Sequence, residues 1–126
     1  MQLPRQKREI SWCEPRDVIA AASGLTMPLY LEAVIEGRLP NSPAIELLAL
    51  ILTDAHEGSA RATFKPDAIH LNAAGAVHGG IISAALDSCI GYAVQSTLVP
   101  GETFEPAQLN TQFIRALGAN GETLAV

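Results

Sequence analysis

The chain carries no excess of positive charge: 8 Lys and Arg stand against 13 Asp and Glu, a net charge of -5. That balance excludes the basic face on which nucleic-acid binding depends. Cysteine is scarce. Cys13 and Cys89 fit a reducing compartment where they need not pair, and nothing beside Cys89 marks it as a thiolate, so it reads as a small core residue. The three histidines show no metal-ligand spacing; His70 and His78 are eight apart across a loop, and a zinc site wants more ligands than that. Met1 to Ile10 is basic but has no apolar segment behind it, so no signal peptide is expected. Outside the Ala-rich stretch there is no uncharged apolar run of about eighteen residues, and inside it Ser83, Asp87, Ser88 and Gln95 argue against a membrane span. What remains is one small domain of 126 residues, 48% hydrophobic and therefore not a disordered chain, expected in the cytoplasm. It has no internal repeats and no low-complexity segment.

What is present centres on Asn72 to Asp87, a polar glycine-bearing loop running into an apolar helix expected over Ile81 to Leu98. A carboxylate in the middle of an apolar helix is costly unless it is paired, hydrogen-bonded or facing a cavity, so Asp87 asks for an explanation. Gly79 and Gly80 at the helix start allow close approach of another molecule, and their N–H groups point outward with the positive end of the helix dipole. Such donors can hold a phosphate or a developing oxyanion. The structural alternative is a tight turn and a carboxylate that merely caps or pairs. Gly79 and Asp87 are eight residues apart, roughly 12 Å of helical rise, too far for both to grip one carbonyl. If both act on one reacting atom, Asp87 must come from a second copy of the chain, and a shared site implies a dimer.

Along the rest of the chain, residues 1 to 14 read as a loosely held leader. Pro15 opens a short helix through Ser23, ended by Gly24. Thr26 is the candidate N-cap of a second helix through Glu36, with Leu31, Val34 and Ile35 on one face, and Gly37 stops it. Leu39 to Pro43 reads as an extended linker. Ala44 to Asp54 fits helix or strand; a strand is expected, because the break at His56-Glu57-Gly58 is followed by the alternating run Ser59 to Phe64, its hairpin partner. Lys65 to Val77 is a loop. After the central helix and the turn at Val99-Pro-Gly101, Ala107 to Arg115 alternates as a third strand, and Glu122 to Val126 begins a fourth. The fold class expected is α+β, an antiparallel sheet wrapped around a long helix.

These residues resemble a known family, the hotdog-fold acyl-CoA thioesterases, in particular the branch similar to phenylacetate-pathway thioesterases. The resemblance rests on Asn72-x-x-Gly75-x-x-His78-Gly79-Gly80, on Leu86-Asp87-Ser88 and on Leu109 to Arg115, with Glu36-Gly-Arg-Leu-Pro40 as a similar lead-in. It covers about Met27 to the last residue, and divides the chain into a leader and helical lead-in, 1–43, and a hotdog domain, 44–126. It implies hydrolysis of an acyl-CoA with an aromatic or medium-chain acyl group, with no cofactor, in a homodimer or a tetramer built from dimers. By the resemblance Asp87 is the catalytic carboxylate, acting as nucleophile or as general base for water. Gly79 supplies the N–H that polarises the thioester carbonyl, Asn72 positions water or carbonyl, and His78 orients the loop. Gly80, Ser88 and Arg115 are the expected substrate contacts, a solvated surface cation being the alternative for Arg115.

Two departures from the family's pattern stand out. Pro106 occupies the place before the third strand where many relatives carry a Ser or Thr whose hydroxyl holds the attacking water. Relatives also continue through roughly two further strands, so the sheet is expected to lack its last strands, with a raw edge, as in a truncated chain. A non-catalytic acyl-CoA-binding module and a hydratase or dehydratase on the same fold are the alternative functions.

Overall fold

The computed structural model describes all 126 residues. Three short helices lead in: α1 (Pro15–Ala21), α2 (Met27–Ile35) and α3 (Pro43–Leu48). Each has a proline in its first turn, where a missing N–H costs nothing and the fixed φ favours the helix. Thr26 does precede α2, but its side chain makes no capping bond. Strands β1 (Leu50–His56) and β2 (Ser59–Phe64) follow, then a 3-10 turn at Ala68–His70, helix α4 (Gly79–Gln95) and a two-residue strand β3 (Leu124–Ala125). The sheet is antiparallel, in the order β1-β2-β3.

The hairpin is the expected one. Leu50 pairs with Phe64 and His56 with Ser59, and Glu57 and Gly58 both take positive φ, 48° and 81°, as a two-residue hairpin turn requires. A shift in register between Leu52 and Asp54 marks a bulge. Leu50, Leu52, Ala62 and Phe64 face inward, and Ile51 faces out. The turn is fastened to the end of α4. Gly58 N–H donates to Ser96 Oγ at 2.9 Å, and that hydroxyl donates to Ala93 O at 2.7 Å.

Three expectations need correction. Residues 44–48 are helical, because Ser42-Pro43 starts a helix whose Ile45 and Leu48, three apart, are both buried; Ala49 at φ 54° ends it, and the strand begins only at Leu50. Ala107 to Arg115 forms no strand within this chain. The edge of β2 away from β1 is taken by β3, through Thr63 with Ala125 and Phe64 with Leu124, while the alternating segment pairs with no strand and stays largely exposed, Ile114 at 94%. The long helix spans 79 to 95 rather than 81 to 98, and only one face of it is buried: Ala85, Cys89 and Tyr92, at helical spacing, point inward, while Asp87, Ile90 and Val94 are exposed.

The core draws Leu31 and Val34 of α2, Ile45 and Leu48 of α3, the inward strand residues, Val77 and the inner face of α4 into one cluster. Cys89 and Cys13 are both free, and burial pushes the Cys89 thiol up, as suits a core residue. Tyr92 is pushed up to about 12, chiefly by burial.

The loop before α4 is organised by His70, only 3% exposed. Its Nδ1 accepts from Asp67 N–H at 2.9 Å, and its ring meets Phe64 edge-on at 5.2 Å. With Nδ1 accepting, the ring proton sits on Nε2, so Arg8 Nη1 at 3.4 Å from Nε2 is a repulsive contact rather than a hydrogen bond. Burial first, and Arg8 second, hold the His70 pKa below its ordinary value, against a smaller opposing effect of Asp67.

Two expectations follow for stability. Leu31, fully buried at the centre of the cluster, is the most sensitive apolar position; Leu31→Ala lowers the unfolding free energy by about 2–5 kcal/mol, measured by chemical denaturation. His70 has a lower pKa folded than unfolded, so the unfolded state binds the extra proton first. Stability is therefore full above the unfolded pKa and falls as the pH drops through the window between the two values. The melting temperature declines on acidification below about pH 6.5, and His70→Gln removes that part of the slope.

Candidate active site

The site starts where the loop turns into α4. His78 is the N-cap, in extended backbone at φ -61° and ψ 132°. Its Nδ1 accepts from Gly80 N–H at 2.9 Å, its carbonyl accepts from Ile81 N–H at 2.9 Å, and its own N–H donates to His70 O at 2.8 Å. These bonds engage every nearby donor of the first turn but one. Gly79 N–H has no partner, and it lies at the positive end of a helix 17 residues long.

Neither glycine here has room for a side chain without movement. A Cβ on Gly79 would lie 3.1 Å from Phe113 Cζ, and one on Gly80 would lie 3.1 Å from His78 Nδ1. Phe113 therefore packs its ring directly on the helix start. Asn72 closes the loop beneath: its Oδ1 accepts from Ala74 N–H at 2.9 Å and Ala76 N–H at 3.1 Å, and Leu71 and Val77 bridge across the loop. The oxygen of that carboxamide is engaged within the loop, and its NH2 group is what Asn72 has left to offer.

Asp87 lies about two turns further along, on the outer face of α4. It has no hydrogen bond and no ion pair within the protomer, and it opens onto a cleft of about 390 Å³ shared with Ser88, Gly91, Phe104, Pro106 and Gln108. Ser88 Oγ donates back to Ala84 O at 2.7 Å, so its proton is held by the helix. Pro106, in the same cleft as Asp87, offers no hydroxyl there.

The residues singled out in the sequence thus form two groups. Asn72, His78, Gly79 and Gly80 cluster at the helix start, and Asp87 and Ser88 line the cleft. Arg115 is exposed, lines neither place and has no ion-pair partner in the protomer. Because α4 is unbroken from Gly79 to Gln95, the rise of roughly 12 Å between Gly79 and Asp87 stands. The sequence reading missed Phe113 over Gly79 and Phe104 beside Gly91, whose ring would lie 3.5 Å from a Cβ there. The signal available was slender: two of only three phenylalanines follow the glycine-bearing helix, Phe113 within the segment read as a strand and Phe104 just before it.

No helix is long and apolar enough to cross a membrane. No profile of a known protein family matches the chain, and no curated protein matches it. Solved structures do. A "putative thioesterase, phenylacetic acid degradation-related protein" from Ralstonia eutropha JMP134 is similar at a TM-score of 0.66 and 25% identity, over 76% of this chain and 73% of that one. A conserved protein from Pseudomonas aeruginosa is similar at a TM-score of 0.62 and 25% identity, over 68% of this chain and 66% of that one. In backbone as in motif, then, this α+β chain resembles a thioesterase of the phenylacetic acid degradation-related kind.

Proposed function

We propose that the chain is a hotdog-fold acyl-CoA thioesterase that hydrolyses an aromatic or medium-chain acyl-CoA to the free acid and CoA between two protomers. One observation carries this reading: the unpartnered Gly79 N–H and the unpaired Asp87 carboxylate lie on one continuous helix, too far apart to meet on a single carbonyl within one chain. A second helix passing in the opposite sense brings Asp87 of one copy to Gly79 of the other. The N–H then receives the charge that develops on the thioester oxygen. Asp87 acts on the carbonyl carbon in one of two ways. As a base it takes a proton from the water that attacks; as a nucleophile it forms an anhydride that water then opens. In both routes the C–S bond breaks and the CoA thiolate leaves to be protonated. The chemistry uses no metal and no organic cofactor, and His78 serves by capping the helix rather than by moving a proton.

Pro106 favours a second reading, a module that binds acyl-CoA without cutting it, because the cleft holding Asp87 has no hydroxyl at that place to position water. Tight binding of hexanoyl- and phenylacetyl-CoA with no thiol release identifies that case.

The catalytic reading has its own test. Asp87→Ala lowers thiol release from phenylacetyl- or hexanoyl-CoA by about 10²- to 10⁴-fold. Gly79→Pro removes the N–H at a position whose backbone suits proline, the first of the helix and after an extended His78, and the half-exposed Phe113 ring shifts to admit the new Cβ. Both variants are strongly impaired alone. Mixed and allowed to exchange protomers they regain activity, because each hybrid dimer holds one site with both groups intact. No recovery on mixing, with hybrid dimers shown to form, rejects the shared site.

A further inference from the structure

A second cavity, of about 520 Å³, lies beyond the Asp87 cleft. Its walls come from α1, from α2 and from the turn between them: Val18, Ile19, Ala22, Leu25, Met27 and Tyr30. Two residues, Ser42 and Gln95, line this chamber and the Asp87 cleft alike, so the two spaces adjoin across the Gln95 side chain. Gln95 is itself anomalous. Its Oε1 is buried and has no hydrogen-bond partner, the one side-chain oxygen or nitrogen of the chain in that state. An amide oxygen held in that way gains by rotating toward any donor, so this conformation of the partition is not a strongly held one.

The position of Gln95 gives the chamber a scale. It is eight residues beyond Asp87 on the same helix, and an extended acyl chain whose carbonyl sits at Asp87 needs on the order of ten carbons to cover the roughly 12 Å of rise. A benzoyl or phenylacetyl group ends well short of that distance, inside the first cleft. What passes Gln95 is a tail, and the predominantly apolar lining beyond it suits hydrocarbon. The outer wall can yield, because α1 buries only Val18.

We infer that the chamber under α1 receives the distal part of a straight acyl chain of about ten carbons or more, and that Gln95 is the partition which that tail displaces. The inference rests on the thioesterase reading above and narrows its substrate class. Gln95 sets chain-length preference; it takes no part in breaking the thioester.

The experiment compares hexanoyl-, decanoyl- and dodecanoyl-CoA in the wild type, in Ala22→Phe, which puts a ring into the chamber, and in Gln95→Ala, which removes the partition. In the wild type KM falls from hexanoyl to dodecanoyl. Ala22→Phe raises the ratio of the dodecanoyl to the hexanoyl KM by about tenfold, and Gln95→Ala lowers it severalfold. A KM that does not fall with chain length, or a ratio that neither variant moves, overturns the inference even when hexanoyl-CoA is hydrolysed well. If the wild type releases thiol from no thioester, the thioesterase reading fails separately, and calorimetry with dodecanoic acid decides the chamber. Binding to the wild type that Ala22→Phe abolishes supports it; no binding, or binding that Ala22→Phe leaves unchanged, overturns it.

Discussion

One imidazole fixes the start of α4, and the rest of the site takes its position from there. By accepting Gly80 N–H at Nδ1, His78 closes the first turn from outside, and through its own N–H to His70 O it ties that turn to the buried loop histidine. A serine or aspartate could cap the helix as well, but a planar ring also fills the space beside Gly80, where a Cβ would come within 3.1 Å of Nδ1. The outcome is a helix start with a single open donor. His70 extends the same constraint inward, since its ring packs on Phe64 at the end of β2 and its Nδ1 holds the backbone of Asp67. Loop, sheet and helix are thereby fixed relative to one another by two histidines, and neither needs a charge to do so.

The parts of the fold that were legible in sequence are those set by local chemistry. Pro15 and Pro28 each stand in the first turn of a helix, Glu57-Gly58 makes the hairpin turn, and the glycines after His78 begin α4. Legibility failed where local pattern was ambiguous or incomplete. Ile45 and Leu48 satisfy a helical period within a run that also reads as strand, and Ser42-Pro43 decided between them. Leu109, Thr111 and Phe113 alternate as a strand should, yet alternation supplies only a two-faced segment; a strand also needs a hydrogen-bonded neighbour, and none of the three strands pairs with it. Phe113 instead lies on Gly79, a contact between distant positions that no periodicity announces.

The site shows the same division. Asn72, His78 and Gly79 were readable together because they lie within one short loop and its helix start, and Asp87 was readable because a lone carboxylate among Ala, Ile and Leu is conspicuous. The surroundings of Asp87 were not. Pro106 could be placed near it only by resemblance, and Phe104 and Gln108 reach its cleft from a segment without regular structure. A residue's chemistry can be read one position at a time; the shape of the space around it depends on pieces of chain that meet only in the folded molecule.

Ser96 joins two places that usually loosen independently. Its hydroxyl receives the amide of the hairpin tip and gives its proton to the carbonyl of Ala93, all within a residue only 8% exposed. If the tip lifts, an acceptor is stranded away from water; if the last helical turn frays, the tip amide loses its partner. Fraying at the two ends is consequently one motion, and the protons on Gly58 and on the closing turn of α4 trade with solvent in step rather than separately.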